Sequence, residues 1–274
     1  MRIGVCSWSL QVGSIGELKG LIEHLGISSV QIACGDPHHA SWIEGDAMPQ
    51  AALAASLEMT GAMLGFPGED YNTPASIEAT GGFGDPSTRP ERFARLAWAL
   101  GITCQLGLTD LMMHGGFIPG PGASGRRSML DTLAKAADMA RERGIILALE
   151  TGQESAQLLR QTLDDLRCPN LKVNFDPANM LLYNMGDPIE AVEILAGDIH
   201  SVHLKDAFPP RVQGEWGEEV PLGEGRVNIP LFINTLKKID FDGPLCIERE
   251  VGDQGSRVRD IARGFRLVNA CLSS

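Results

Sequence analysis

"VNFDPAN" (Val173–Asn179) and "SVHLKD" (Ser201–Asp206) are built alike. Each is an apolar run that stops at a side chain able to bind a metal, Asp176 in the first and His203 in the second. Two further runs stop the same way, "IILALE" at Glu150 and "PLCIE" at Glu248. The runs are continuous rather than alternating, which is the pattern of strands buried on both faces of a parallel sheet.

Short apolar runs of this kind recur along the whole chain and alternate with longer helical patterns. Strands are predicted at 2–8, 29–33, 62–65, 110–114, 145–149, 171–175, 199–204 and 245–247. Helices are predicted at 16–25, 48–60, 90–106, 126–143, 156–166, 188–195, 229–239 and 255–271. Gly26 and Gly144 supply helix stops, and Pro90 opens a helix in its first turn. Segment 67–90, rich in Gly, Pro, Asp and Thr, reads as a long functional loop. Eight successive strand–helix units in 274 residues, with no linker between them, predict one (β/α)8 barrel domain spanning residues 1–274. A doubly wound open sheet is the alternative, but no G-x-G-x-x-G follows the first strand.

Composition narrows the class. The chain is 43% hydrophobic and 21% charged, ordinary for a globular domain. No run of 18 apolar residues predicts a membrane span, and "MRIGVCSWSL" lacks the apolar core of a signal peptide, so a cytoplasmic location is expected. A formal charge of −12 disfavours nucleic acid as a partner. The six cysteines form no C-x-x-C pair and read as reduced, buried thiols.

Active sites of such barrels lie at the C-terminal ends of the strands. Glu150, Asp176 and His203 follow one another at 26 and 27 residues, one unit each. Glu248 comes 45 residues later, one unit with a long loop, 205–227, inserted. Three carboxylates at one mouth would repel and resist ionising, and a divalent cation turns that repulsion into binding. Oxygen ligands with one imidazole suit Mn²⁺, Mg²⁺ or Co²⁺ better than a thiolate-type zinc site, with Zn²⁺ still admissible. The plain alternative is that each carboxylate caps the next helix or pairs with a Lys or Arg.

"ALETGQE", "VNFDPAN", "SVHLKD", "PLGEGRVNIP" and "CIEREVG" resemble the motifs of the xylose isomerase-like TIM barrels, the sugar phosphate isomerase/epimerase group. The resemblance covers essentially the whole chain. It implies one divalent metal held by Glu150, Asp176, His203 and Glu248, with Glu150 and Glu248 also serving as the acid/base pair. The implied activity is isomerisation or epimerisation of a small ketose, keto-polyol or sugar phosphate. A metal-stabilised enediolate would form as one carboxylate removes a proton beside the carbonyl and the other returns one. A lyase or hydrolase, an apurinic-endonuclease-like phosphodiesterase among them, and a non-catalytic sugar-binding barrel are the alternatives on the same scaffold. Barrels of this group often pair, so a homo-oligomer is an expectation.

The chain departs from the group at Asn179, where many members carry a histidine. With Leu64 and Gly65, this argues against the three-metal cluster of the endonucleases. Asn179 and His114 are candidates for substrate contact. Lys205 is two residues beyond His203 and is expected inward, toward a substrate oxygen or in an ion pair with Asp206, Glu224 or Glu248. Glu250 stands in the same relation to Glu248. Cys6 and Trp8 end the first strand and are pocket candidates, Trp8 offering a flat face to a sugar. His38 and His39 are weaker ones. The "GEG" at Gly223–Gly225 reads as a turn, and Arg226 as a phosphate candidate.

Overall fold

Why the runs end where they do follows from the pleat of the strands they form. The computed structural model describes residues 1–35 and 42–273, so His38 and His39 lie outside the described residues. Strand β1 (Arg2–Cys6) leads to α1 (Ile15–Leu25), β2 (Ser29–Ala33) to α2 (Met48–Ala54), β3 (Glu58–Leu64) to α3 (Pro74–Thr80) and α4 (Arg89–Gln105), and β4 (Asp110–Met113) to α5 (Arg126–Arg141). Then β5 (Ile146–Glu150) leads to α6 (Ala156–Leu166), and β6 (Leu171–Phe175) to α7 (Pro177–Leu182) and α8 (Pro188–Leu195). Last, β7 (Ile199–Leu204) runs through a hairpin, β8 (Asp206–Phe208) and β9 (Glu218–Val220), to α9 (Ile229–Lys238), and β10 (Pro244–Ile247) ends in α10 (Gln254–Ser273). Eight parallel strands close into a ring in the order β1-β10-β7-β6-β5-β4-β3-β2. The fold is the expected barrel and not an open sheet.

Alternation along each strand separates two cores. Val5, Leu111, Met113, Leu147, Leu149, Leu245 and Ile247 belong to the main core. Cys6, Met112, Ala148 and Cys246, the residues between or beside them, form a second cluster with Trp8 and Ala33. Continuing that second series by two residues leads from Ala148 to Glu150 and from Cys246 to Glu248. The register aligns these ends around the ring, pairing Glu150 with Asn174 and Cys246 with His203.

Four local differences from the predicted elements have physical causes. The helix read at 48–60 stops at Ala54, because Ser56 takes a left-handed φ of 54° and the chain enters β3 at Glu58. The loop at 67–90 contains α3, opened by Pro74 and a reciprocal Thr73–Ser76 capping box. Directly after Asp176 the chain turns into the short helix α7. The insert at 205–227 holds the antiparallel β8–β9 pair. Of the six cysteines, all free, Cys6, Cys34 and Cys246 are buried as expected, whereas Cys104 is exposed and Cys168 and Cys271 are half-buried.

Asp206 organises the insert. Its Oδ1 accepts from the backbone of Ala207 (2.9 Å) and Val227 (3.0 Å), and its Oδ2 from Gly223 and Gly225 (3.0 Å each). A Cβ on Gly225 would sit 2.2 Å from Oδ1, so glycine is required there for the carboxylate to approach. Asp206→Ala strands these amides in a 1% exposed setting. The variant should lose on the order of 3 kcal/mol of stability, read from the urea midpoint, since unpaired buried donors keep their full desolvation cost.

Candidate active site and metal centre

The four run-ending residues meet. Ligand atoms of Glu150, Asp176, His203 and Glu248 all lie within 4.8 Å of one another, and all four side chains are buried. Two donors on opposite sides of an ion at ~2.1 Å each are about 4.2 Å apart, so the set fits one cation with small adjustment. Two buried atoms in the cluster make no hydrogen bond, Asp176 Oδ2 and His203 Nδ1. The second is telling, because His203 Nδ1 approaches Glu150 Oε1 to 2.6 Å and Glu248 Oε2 to 3.4 Å without the geometry of a hydrogen bond to either. Despite burial, Cys6 and the surrounding carboxylates raise His203 well above its ordinary value, so with the ring protonated these are ion pairs; a cation replacing that proton would meet the same atoms.

Each member is held by a neighbour. His203 Nε2 lies 2.7 Å from Gln31 Oε1; a carbonyl oxygen only accepts, so Nε2 carries the proton and donates it. In the neutral ring this leaves the Nδ1 lone pair facing the cluster. Asp176 divides its oxygens. Oδ1 caps α7 through Ala178 N (2.7 Å) and Asn179 N (3.1 Å), and Oδ2 faces Lys205 Nζ at 3.8 Å. The helix-cap reading and the cluster reading of this residue therefore both hold, one oxygen each. Glu150 takes His114 Nε2 at 2.8 Å and Asn174 Nδ2 at 3.4 Å. Glu248 takes Trp8 Nε1 at 2.7 Å and Lys205 Nζ at 3.0 Å. Lys205 also pairs with Glu250 but not with Asp206 or Glu224; the last pairs with Arg263.

The other predicted site residues fall into three groups. Trp8, His114, Asn179 and Lys205 line a cavity of about 450 Å³ at the mouth of the barrel, with Glu150 and Glu248 in its wall. The Asn179 amide nitrogen is spent on Thr151 O (3.0 Å). Cys6 is fully buried at the floor, its thiol 3.7 Å from Gln31 Oε1, and does not line that cavity. Arg226 is exposed, with its guanidinium over the Phe208 ring, and is also absent from the lining. Sequence reasoning passed over Gln31, Asn174, Ser201, Thr151, Tyr71, Tyr183 and Trp216. Four of these carry a readable signal: Gln31, Asn174 and Ser201 are polar residues inside apolar runs, and Thr151 directly follows one.

Charges crowd this space. Burial pushes the Glu150 carboxyl up, yet His114 and His203 prevail and hold it down at about 2. Burial lowers His114, but the Glu150 charge and hydrogen bond carry it to about 9. Burial raises Asp176 to about 8, against the pull of Lys205 and with the push of Glu248 and Glu150. Glu248 stays well below the carboxylate range despite burial, through Lys205 and His203. A divalent cation would take over the neutralising work of these protons.

The family of xylose isomerase-like TIM barrels matches residues 19–271, and the chain belongs to it. A xylose isomerase domain protein from Planctomyces limnophilus is 32% identical, with a TM-score of 0.88 over 98% of this chain and 96% of that one. An L-ribulose 3-epimerase is 16% identical at a TM-score of 0.72, covering 99% of this chain and 94% of that one, a likeness of fold. An uncharacterised protein of Methanocaldococcus jannaschii is 28% identical over 177 residues, 59% of this chain and 56% of its own length, so the match spans little more than half of that relative. Among the described residues no helix is long and apolar enough to cross a membrane.

Behind the cavity, Glu154 is 7% exposed and burial raises its carboxyl from 4.5 to about 7. The folded state then holds a proton between pH 4.5 and 7 that the unfolded chain has released. Stability therefore falls as pH rises through this window, by on the order of 3 kcal/mol. Glu154→Gln should match the parent near pH 4 and exceed it near pH 8, as measured by urea midpoints at the two pH values.

Proposed function

We propose that this chain is a divalent-metal-dependent isomerase or epimerase of a small ketose or keto-polyol that works by proton transfer beside the carbonyl. The observation that carries the reading is the convergence of four buried side chains, Glu150 and Glu248 in the wall of the cavity at the barrel mouth and Asp176 and His203 packed against them. Membership of the xylose isomerase-like family supports it.

Glu150, Asp176, His203 and Glu248 would hold the cation. The unbonded Asp176 Oδ2 and His203 Nδ1 are the donors that best fit it. Once bound, a divalent ion supplies positive charge that stabilises negative charge developing on the substrate carbonyl. The remaining chemistry belongs to the chain. Glu150, kept ionised by its two histidines, accepts a proton as the general base. His114 follows by strengthening or relaxing its hydrogen bond as that charge changes. Glu248, steered by Trp8 and ionised, relays a proton from the Lys205 ammonium that donates to it, returning it to the same carbon or its neighbour and giving epimerisation or isomerisation respectively; solvent restores the lysine proton and takes the one Glu150 removed. Lys205 and Asn179 face the cavity beside these groups and orient substrate hydroxyls.

The reading is tested by incubating the Mn²⁺-loaded protein with a panel of ketoses in D₂O. Deuterium should enter the carbon next to the carbonyl. Glu150→Gln and Glu248→Gln should each lower exchange by at least ~100-fold, the usual weight of one general acid or base. Undiminished exchange in both variants removes the assigned roles.

Metal binding has its own test, independent of turnover. Gln31→Leu takes away the group that fixes the His203 tautomer. It should weaken Mn²⁺ binding about 10- to 100-fold in titration calorimetry, the cost typical of losing such a supporting hydrogen bond. Unchanged affinity would show that His203 is not a ligand through Nδ1.

A further inference from the structure

The cavity is lined by carboxylates, and its cations are already engaged. Glu69, Glu150, Glu219, Glu248 and Glu250 all contribute to the wall, and Lys205 is the single lysine or arginine among the described lining residues. Lys205 pairs at once with Glu248, Glu250 and Asp176. The nearby arginines face elsewhere. Arg92 is turned onto Glu69 and the carbonyls of Gly82 and Thr80, and Arg249 onto Glu219 and Asp260. Arg257 reaches backbone carbonyls of Gly252, Glu250 and Trp8.

Backbone amides are the other means of binding a phosphate, at helix N-termini and glycine turns. Barrels of this architecture often use the loops after the last two strands for that purpose. In this chain the chain's own carboxylates fill those places. Asp206 accepts from Gly223, Gly225 and Val227 in the glycine turn after β7. Asp253 accepts from Ser256 N at the start of α10, after β10. Asp176 occupies the start of α7. A phosphate would have to displace an internal anion at each of these positions.

Charge across the whole site points the same way. Asp176, Glu248 and Glu250 face Lys205, and Glu150 pairs with His114; a divalent ion added to these four carboxylates and two cations leaves no net positive charge for an anion. Glu69 and Glu219 are balanced by Arg92 and Arg249. Beyond these groups, Asn179, and His114, which is committed to Glu150, the described wall is aromatic and aliphatic: Trp216 stands edge-on to Tyr183 at 4.7 Å and donates to Tyr71 O (3.1 Å), with Leu182, Met63 and Val251 beside them. Aromatic and aliphatic surfaces of this kind bury the C–H faces of a sugar and offer nothing to an anion.

We infer that the substrate is an uncharged, unphosphorylated keto sugar, and that the site discriminates against its phosphate esters. The inference rests on the proton-transfer reading for the sugar class, whereas its charge selectivity stands on the wall and the occupied amides.

Binding, rather than turnover, provides the test. Mn²⁺-loaded protein is titrated with D-fructose and D-fructose 6-phosphate, and with D-ribulose and D-ribulose 5-phosphate, following the fluorescence of the tryptophans in the cavity wall. Each parent sugar should bind at least ~10-fold more tightly than its ester, with the gap narrowing as salt is raised. Glu250→Lys, at a side chain 49% exposed, should shift the preference toward the esters while circular dichroism stays unchanged. Esters that bind as tightly as their parents, a preference that Glu250→Lys leaves untouched, or no saturable binding of either parent sugar would each overturn the inference. Deuterium entry with the same sugars is scored separately. A protein that keeps the preference and exchanges nothing retains the charge selectivity and loses the proton-transfer reading together with the keto-sugar class that rests on it.

Discussion

Mutual repulsion among three buried carboxylates is the constraint around which the rest of the structure is arranged. Glu150, Asp176 and Glu248 sit with His203 inside 4.8 Å. Without compensation, desolvation alone would drive each of them to take up a proton. The chain spreads the compensation across the mouth of the barrel: His114 on Glu150, Lys205 and Trp8 on Glu248, and the first amides of α7 on Asp176. At Asp176 and His203 one atom is satisfied and the other, Oδ2 or Nδ1, makes no hydrogen bond. That incomplete satisfaction is uncommon in a folded interior, where buried polar groups nearly always find partners. A shared cation accounts for both unbonded atoms at once.

The barrel supplies the precision this requires. Inward positions recur every second residue, so a strand that buries Ala148 or Cys246 inside the ring must present its glutamate inside as well. Adjacent strands are in register at that height, and the resulting plane is braced by polar contacts between strands. Ser201 donates to Asn174 at 2.6 Å, Asn174 to Glu150, and Thr151 bridges to the backbone of Asp176 in both directions. These residues fix side-chain directions without entering the cavity, much as Gln31 does for His203.

The barrel and the four converging residues were legible because both signals are periodic. Continuous apolar runs mark strands covered on two sides, and a polar residue that abruptly ends such a run marks the rim. What escaped notice lacks that regularity. The capping helix α3 is only seven residues long, and its sole signals are Thr73 and Pro74. The β8–β9 pair has three residues per strand and depends on Asp206, whose role comes from amides 17 to 21 residues away. Arg226 shows a related effect: residue type suggested an anion site, and the loop carries the side chain onto Phe208, outside the cavity lining. Local pattern identifies which face a residue occupies on a strand; it says little of direction on a loop held by distant contacts.

Asp206 and Lys205 show how neighbouring residues in one motif divide two kinds of charge work. In "HLKD" the strand pleat sends His203 and Lys205 to the inside, where the lysine offsets the acidic cluster. Asp206 is one step out of phase, so it leaves the cavity and gathers the amides of the glycine turn instead. The same parity that gathers the acidic cluster and its imidazole within the barrel therefore commits the amides of the adjacent glycine turn to a carboxylate. Net charge at the mouth is then set by groups already committed to structure.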